Sequence, residues 1–284
     1  MAKQATTSGG ANAAAKAVAT SCSKMVYKRP ELLKPAHFHY CPGCGHGIIN
    51  RLLMEVIEEM DLQSKAVCVA PAGCGMLLYN YFEIDVLESA HGRGAAVATG
   101  IKRMTPDNLV FSYQGDGDLA AIGTAEGFHA ANRGENITVI FVNNGVYGMT
   151  GGQMAPTTLL DQVTTTTPAG RDSVLAGHPV RICEVFAMLD GTSYLERVAV
   201  NKPAAVAKAK KAIAKAFQRQ LDGCGFSLVE ILSPCPVNWK MGPLESCNWI
   251  DEVMAKQFPL GVVKDLPCEG APGRTAPGKE APCS

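Results

Sequence analysis

"LVFSYQGDGDLAAIGTAEGFHAANRGENITVIFVNNGVYG", residues 109–148, decides the fold. It opens on the apolar run LVFSY (109–113) and breaks into the glycines and aspartates of QGDGD. A helical stretch, LAAIGTAEGFHAANRG (119–134), follows and closes on Gly134, a usual C-terminal signal. ITVIFV (137–142) then forms a second buried run that ends in Asn143 and Asn144. Strand, helix, strand, with continuous Val/Ile/Leu runs rather than alternation, is the pattern of a parallel sheet covered on both faces.

Outward from this unit the alternation continues. Helices are expected over 47–60, 95–104, 182–190, 203–220 and 246–257, and strands over 66–70, 196–200 and 226–232. Pro71 is expected to stop the first of these strands. Residues 144–180 are rich in Gly, Thr and Pro without a period, and a loop of that length tends to be functional. The expected fold class is a doubly wound, mostly parallel α/β sheet with helices on both faces, over residues 30–265. Residues 1–29 and 266–284 read as disordered tails. The first lacks the apolar core of a signal peptide, and it has no Arg before Arg29 to suggest a transit peptide.

Composition excludes two classes. With 26 Lys and Arg against 26 Asp and Glu, no basic surplus exists to displace counterions, so nucleic acid is not expected as a partner. No apolar run approaches the ~18 residues of a membrane span. The 11 cysteines are an odd number, and a large core without an export signal disfavours a disulfide framework. A reducing cytoplasm is the expected location. Cys68 and Cys183 read as core, Cys22, Cys268 and Cys283 as idle, and Cys224 and Cys247 carry no reading.

Ligands of such sheets bind beyond the carboxyl ends of the strands. Gly115 and Gly117 let the backbone approach a ligand there, and the next helix start offers free N–H groups to an anion. Asp116 and Asp118 are themselves negative, which makes sense if a divalent cation lies between them and the anion. A right-handed βαβ unit brings Asp116 and Asn144 to one sheet edge, where hard oxygen ligands suit Mg²⁺ with phosphate. Taken alone, GDGD is a surface turn. Spaced as it is from the paired asparagines, it resembles the thiamine pyrophosphate (TPP) signature. That resemblance implies Mg²⁺ held by Asp116, Asn144 and the carbonyl of Val146.

HYCPGCGHG (39–47) places Cys41 and Cys44 as C-x-x-C, Cys74 follows in a Gly-flanked loop, and Cys235 follows the last expected strand. Four such thiolates fit zinc or an iron–sulfur cluster; a redox dithiol or simple packing are the other readings of C-x-x-C. Residues 37–262 resemble the beta subunit of the 2-oxoacid:ferredoxin oxidoreductases, the short branch acting on branched-chain 2-oxoacids or 2-oxoglutarate. The likeness is carried by YCPGCGHGIINRL, APAGCGMLLYNYF, SAHGRGAAVATGIKRM, the stretch from YQGDGD through GGQMAPTT, and LVEILSPCPVNW.

The resemblance implies one [4Fe–4S] cluster on Cys41, Cys44, Cys74 and Cys235. It implies cofactor contacts from Gly73, Gly115, Gly117, Asp118, Tyr147, Gly148 and Thr150 as well. His91 and Arg93 are candidates to face cofactor or substrate, a structural role being the other reading of Arg93. TGGQ (150–153) either packs over the diphosphate or is an ordinary loop, and Glu126 reads as structural. The implied reaction is coenzyme A-dependent oxidative decarboxylation of a 2-oxoacid, with electrons passed to ferredoxin. No motif supplies the Glu that TPP needs against its aminopyrimidine ring. That residue is expected from an alpha subunit, with gamma and ferredoxin-like delta subunits completing the complex and the isolated chain inactive. The competing readings are a non-oxidative TPP-dependent decarboxylase or carboligase with structural zinc, and a non-enzymatic scaffold.

Overall fold

The computed structural model describes residues 27–268. Its strands are β1 (Ala66–Pro71), β2 (Asp85–Ser89), β3 (Leu109–Gly115), β4 (Thr138–Asn143), β5 (Val146–Tyr147), β6 (Gln153–Met154), β7 (Thr192–Ala199), β8 (Phe226–Leu232) and β9 (Gly261–Asp265). The helices are α1 (His46–Glu59), α2 (Gly94–Met104), α3 (Thr124–Asn132), α4 (Ser173–Ala176), α5 (Ile182–Ala187), α6 (Pro203–Leu221), α7 (Pro236–Trp239), α8 (Pro243–Trp249) and α9 (Ala255–Gln257). Seven strands form one sheet in the order β2-β1-β3-β4-β8-β7-β9. All neighbours are parallel except the antiparallel edge pair β7 and β9. The mostly parallel α/β sheet expected from the sequence is the fold found.

Two cores sandwich the sheet, because successive side chains of a strand leave on opposite faces. Phe111, Ile140 and Val229 meet α1 and α6 on one face, through residues such as Ile49, Leu53, Ile213 and Phe217. Val110, Val139 and Leu228 meet α2, α3 and α5 on the other, through Ala98, Ala130 and Phe186. Phe217 is fully buried with its ring 5.2 Å from that of Phe111. Truncating such a ring to Ala costs roughly 3–5 kcal/mol.

The departures from the sequence reading have local causes. β1 runs one residue further than expected and ends on Pro71, which pairs with Ser89 of β2. The helix expected over 119–134 is divided into a wide turn, Asp118–Ile122, and α3. Gly123 closes that turn by donating to the carbonyl of Asp118 at 2.8 Å. A Cβ there would stand 2.6 Å from the carbonyl oxygen of Gly92, so only glycine permits this approach. The expected helix over 246–257 is three short pieces from Pro243 to Gln257, the middle one wide-turned. Strands β2 and β9 were not expected: both are edge segments with mostly exposed side chains.

The cysteines bring a further correction. Cys224 and Cys268 form a disulfide, with Cα atoms 4.8 Å apart. Cys268 was read as an idle tail residue, but β9 runs antiparallel to β7 and carries the chain back to the end of α6, where Cys224 waits. Cys22, Cys283 and most of both proposed tails lie outside the described residues.

Candidate functional site

The chain moves from β1 to β2 in one direction and from β3 to β4 in the other, so the strand order reverses between β1 and β3. Open α/β sheets bind ligands in the crevice at such a point. A cavity of about 250 Å³ lies there, lined by the ends of both strands and by the loop after β4. Gly73, Cys74, His91, Gly115, Asp116, Gly117, Asp118, Asn144, Val146, Tyr147, Gly148 and Thr150 all line it. Arg93 does not.

Asp116 is 3% exposed at the tip of β3. Its Oδ2 accepts the backbone N–H of Asn144 at 3.2 Å and of Val146 at 3.0 Å. Its Oδ1 is buried without a hydrogen-bond partner. Burial pushes the carboxyl up to about 8, against the pull of the two N–H groups and of the Thr157 hydroxyl beside it. A buried carboxylate oxygen left unmatched is costly, and a divalent cation in the cavity would satisfy it. The turn after β4 is fixed from several sides. The Oδ1 of Asn144 accepts from Val146 N–H at 3.2 Å, the carbonyl of Asn144 accepts Trp239 Nε1–H at 3.0 Å, and Thr158 Oγ1 donates to the carbonyl of Gly145 at 2.5 Å.

Asp118 faces differently. Its Oδ1 accepts the N–H of Gly92 at 2.5 Å and its Oδ2 takes the side-chain amide of Gln114. It lines the cavity while tying β3 to the loop before α2. His91 Nδ1 lies 2.8 Å from the carbonyl of Ala72 and 3.2 Å from Asp118 Oδ1. A proton kept on Nδ1 by those acceptors leaves Nε2 beside Gly117, open to the cavity. Arg93 pairs with Glu126 instead, on the half-exposed flank between α2 and α3.

The four candidate cysteines lie near enough for their charges to act on one another, although among the described residues no three of their sulfurs lie within 4.8 Å of one another. The C-x-x-C loop is pressed onto the segment after β8, where Gly45 N–H donates to Pro234 O at 3.3 Å. A Cβ on Gly45 would stand 2.2 Å from Ser233 Oγ. Burial pushes the Cys44 thiol up to about 12 and that of Cys74 up to about 11, and it raises that of Cys235 too. The charges of the four cysteines also oppose one another. Buried thiols such as Cys44, Cys74 and Cys235 become strong donors only around a cation or cluster. Asn238 Nδ2 donates to Cys235 Sγ at 3.3 Å and to the carbonyl of Gly148 at 3.0 Å, joining Cys235 to the cavity loop.

Sequence reasoning missed several supports. Arg171 is 3% exposed and donates to the carbonyls of Ala155, Pro156, Thr158, Ala176, Gly177 and His178. It thereby orders most of the long loop that carries β5 and β6. His46, which the sequence offered only as a hydrogen-bond donor near sulfur, is buried at the start of α1 and meets Tyr113 OH at 2.6 Å, both of them lining the cavity; burial lowers its imidazole to about 4, so it is neutral. A buried Arg–Glu pair on β7 and β8 was missed as well, although the Glu inside LVEIL was a visible signal.

Comparison with known proteins bears on the wall that carries Asp116. Residues 77–231, more than half of the chain, match the family described as "Thiamine pyrophosphate enzyme, C-terminal TPP binding domain". The chain therefore carries a TPP-binding domain. Asp116, Asn144 and Val146 lie inside the matched region and the four cysteines outside it. Among curated proteins, "Ketoisovalerate oxidoreductase subunit VorA" of Methanothermobacter thermautotrophicus is 46% identical over 87% of this chain and 52% of its own length. "2-oxoglutarate synthase subunit KorB" of Methanocaldococcus jannaschii is 33% identical over 84% of this chain and 86% of its own. The chain belongs to the family of 2-oxoacid:ferredoxin oxidoreductase subunits. It spans about half the length of the VorA relatives. In fold it is similar to the 2-oxoglutarate:ferredoxin oxidoreductase of Magnetococcus marinus, with a TM-score of 0.71, 24% identity and coverage of 86% of this chain and 87% of that one.

Proposed function

We propose that this chain is the TPP- and cluster-binding subunit of a coenzyme A-dependent 2-oxoacid oxidoreductase that passes its electrons to ferredoxin. The observation that carries this reading is the position of Cys74. It lines the same cavity as Asp116 and belongs to the four-cysteine group. Bound there, TPP with Mg²⁺ supplies the decarboxylation chemistry, and a [4Fe–4S] cluster supplies a one-electron acceptor at its edge. A zinc ion on the same thiols could not take electrons.

The chain's own residues do the positioning. Asp116, Asn144 and the Val146 carbonyl hold the cation, and the glycines around them admit the diphosphate. Tyr147, Gly148 and Thr150 close the cavity on its outer side. His91 presents Nε2 as an acceptor for a proton at the cavity mouth. Among the described residues the lining includes the apolar side chains of Ile122 and Met149. Together with the likeness to the ketoisovalerate subunit, this favours a branched-chain 2-oxoacid such as 2-oxoisovalerate, with 2-oxoglutarate as the alternative.

An alpha subunit would supply the activating Glu, and gamma and ferredoxin-like delta subunits would complete the complex. Among the described residues no helix is long and apolar enough to cross a membrane. The test is 2-oxoacid- and coenzyme A-dependent reduction of a viologen dye by the complex assembled without oxygen. Faster turnover of 2-oxoisovalerate than of 2-oxoglutarate is expected. Decarboxylation by iron-free protein without dye reduction would overturn the redox reading and favour the zinc-bearing decarboxylase.

A further inference from the structure

Behind the cation-binding turn lies a buried charged group that the chemistry above does not use. Glu230 sits in the middle of β8 and is 0% exposed. Arg197 stands opposite it on β7, also with no exposed side chain, and its Nε lies 2.8 Å from Glu230 Oε2. The same guanidinium reaches Glu184 of α5, at 3.0 Å and 2.5 Å from its two oxygens. Isolated carboxylates are rarely left this deep; this one has the guanidinium charge beside it, although the contact is an ion pair without hydrogen-bond geometry, the two terminal nitrogens of Arg197 being spent on Glu184.

The other oxygen of Glu230 points toward the site. On β4 Phe141 pairs with Glu230, and Asn143, two residues on, shares its face. Asn143 Nδ2 donates to Glu230 Oε1 at 2.7 Å. Asn143 Oδ1 in turn accepts the N–H of Gly145 at 3.2 Å. Gly145 has φ +68 and lies between the two cation ligands Asn144 and Val146. An ion pair from Arg197 to Glu230, followed by hydrogen bonds through Asn143, thus reaches the turn that presents the ligands.

We propose that Glu230 is a positioning residue for the cofactor's cation: held by Arg197, it fixes Asn143 and thereby the 143–146 turn. This rests on the reading of Asp116, Asn144 and Val146 as the cation site. Replacing Glu230 by Gln sets an amide N–H against either Asn143 Nδ2 or Arg197 Nε, so one contact is lost. Replacing Asn143 by Asp sets two carboxylates face to face. The two changes together restore complementarity: the Gln amide donates to the new carboxylate and its carbonyl faces Arg197. A residue needed only for packing has no reason to show this rescue.

The experiment compares wild type, Glu230→Gln, Asn143→Asp, the two combined, and Asn143→Ala in the full chain purified with its partner subunits. Titration with TPP and Mg²⁺ is read alongside the melting temperature and hydrogen exchange at the N–H groups of Gly145 and Val146. The account expects each single variant to bind about tenfold more weakly and to exchange faster at both amides. The combined variant is expected to return to within about threefold of wild type. Asn143→Ala leaves the Arg197–Glu230 pair in place and serves if the charged single variants do not fold. Single variants with wild-type binding and exchange would overturn the proposal. If wild type itself does not bind TPP, the cation-site reading fails. The exchange rates then still decide whether Glu230 orders the turn.

Discussion

The two ends of the central sheet are built from similar residues and differ in what those residues are free to do. At the carboxyl end, Asp116 keeps one oxygen unmatched and four cysteines lie near one another without bonding. At the amino end the matching residues are fully engaged. Glu135, just before β4, is held by Arg103 and Arg133, and Cys224 is bonded to Cys268. Carboxylates and thiols close their own interactions at one end and leave them open at the other. Unmatched buried groups cost stability, so their concentration at one end marks where a ligand belongs.

That contrast predicts that changes at the carboxyl end alter binding and changes at the amino end alter stability. Asp116→Ala should weaken Mg²⁺-dependent TPP binding about a thousandfold, roughly 4 kcal/mol, while leaving the melting temperature no lower than wild type. Calorimetric titration checks it, and retained tight binding would break the contrast. Arg171→Met sits between the two behaviours. It strips six carbonyls of a buried donor and should cost about 3 kcal/mol in denaturant unfolding, loosening the cavity loop as well.

Smaller effects belong to the amino end. Cys224→Ala removes a link across a sequence separation of 44 and should cost about 2 kcal/mol. Cluster absorbance and TPP binding should be unchanged, as intact-mass and titration measurements would show. Glu135→Gln should cost less than about 1 kcal/mol, because its arginine partners are largely exposed. Burial raises the Glu135 carboxyl, but the hydrogen bonds from Arg103 and Arg133 outweigh it and hold it below its ordinary value of 4.5. Its contribution is therefore present above that pH and lost as pH falls through the folded value. Urea unfolding of wild type and variant should converge in acid.

The same contrast explains what was legible in the sequence. Strands β3 and β4 announce themselves as apolar runs, and GDGD and NN mark their ends, so the meeting of Asp116 and Asn144 at one sheet edge was readable from spacing, while Val146 came only through the resemblance. Edge strands β2 and β9 were not, because DVLES and GVVKD are exposed and carry charge. The Cys224–Cys268 bond was hidden with them, since only the pairing of β9 brings Cys268 back. Arg171 lies in a loop without periodicity, and nothing in the residues around it signals that its guanidinium is buried. Arg93 was open to two readings, and its pairing with Glu126 on the flank fits the structural one rather than a place in the cavity.

The most direct test of the account is electron paramagnetic resonance on the complex purified without oxygen, before and after 2-oxoisovalerate and coenzyme A. The account predicts a reduced-cluster signal that appears only with the 2-oxoacid and is absent in Cys74→Ala. Iron-free protein that binds TPP and gives no signal would contradict it.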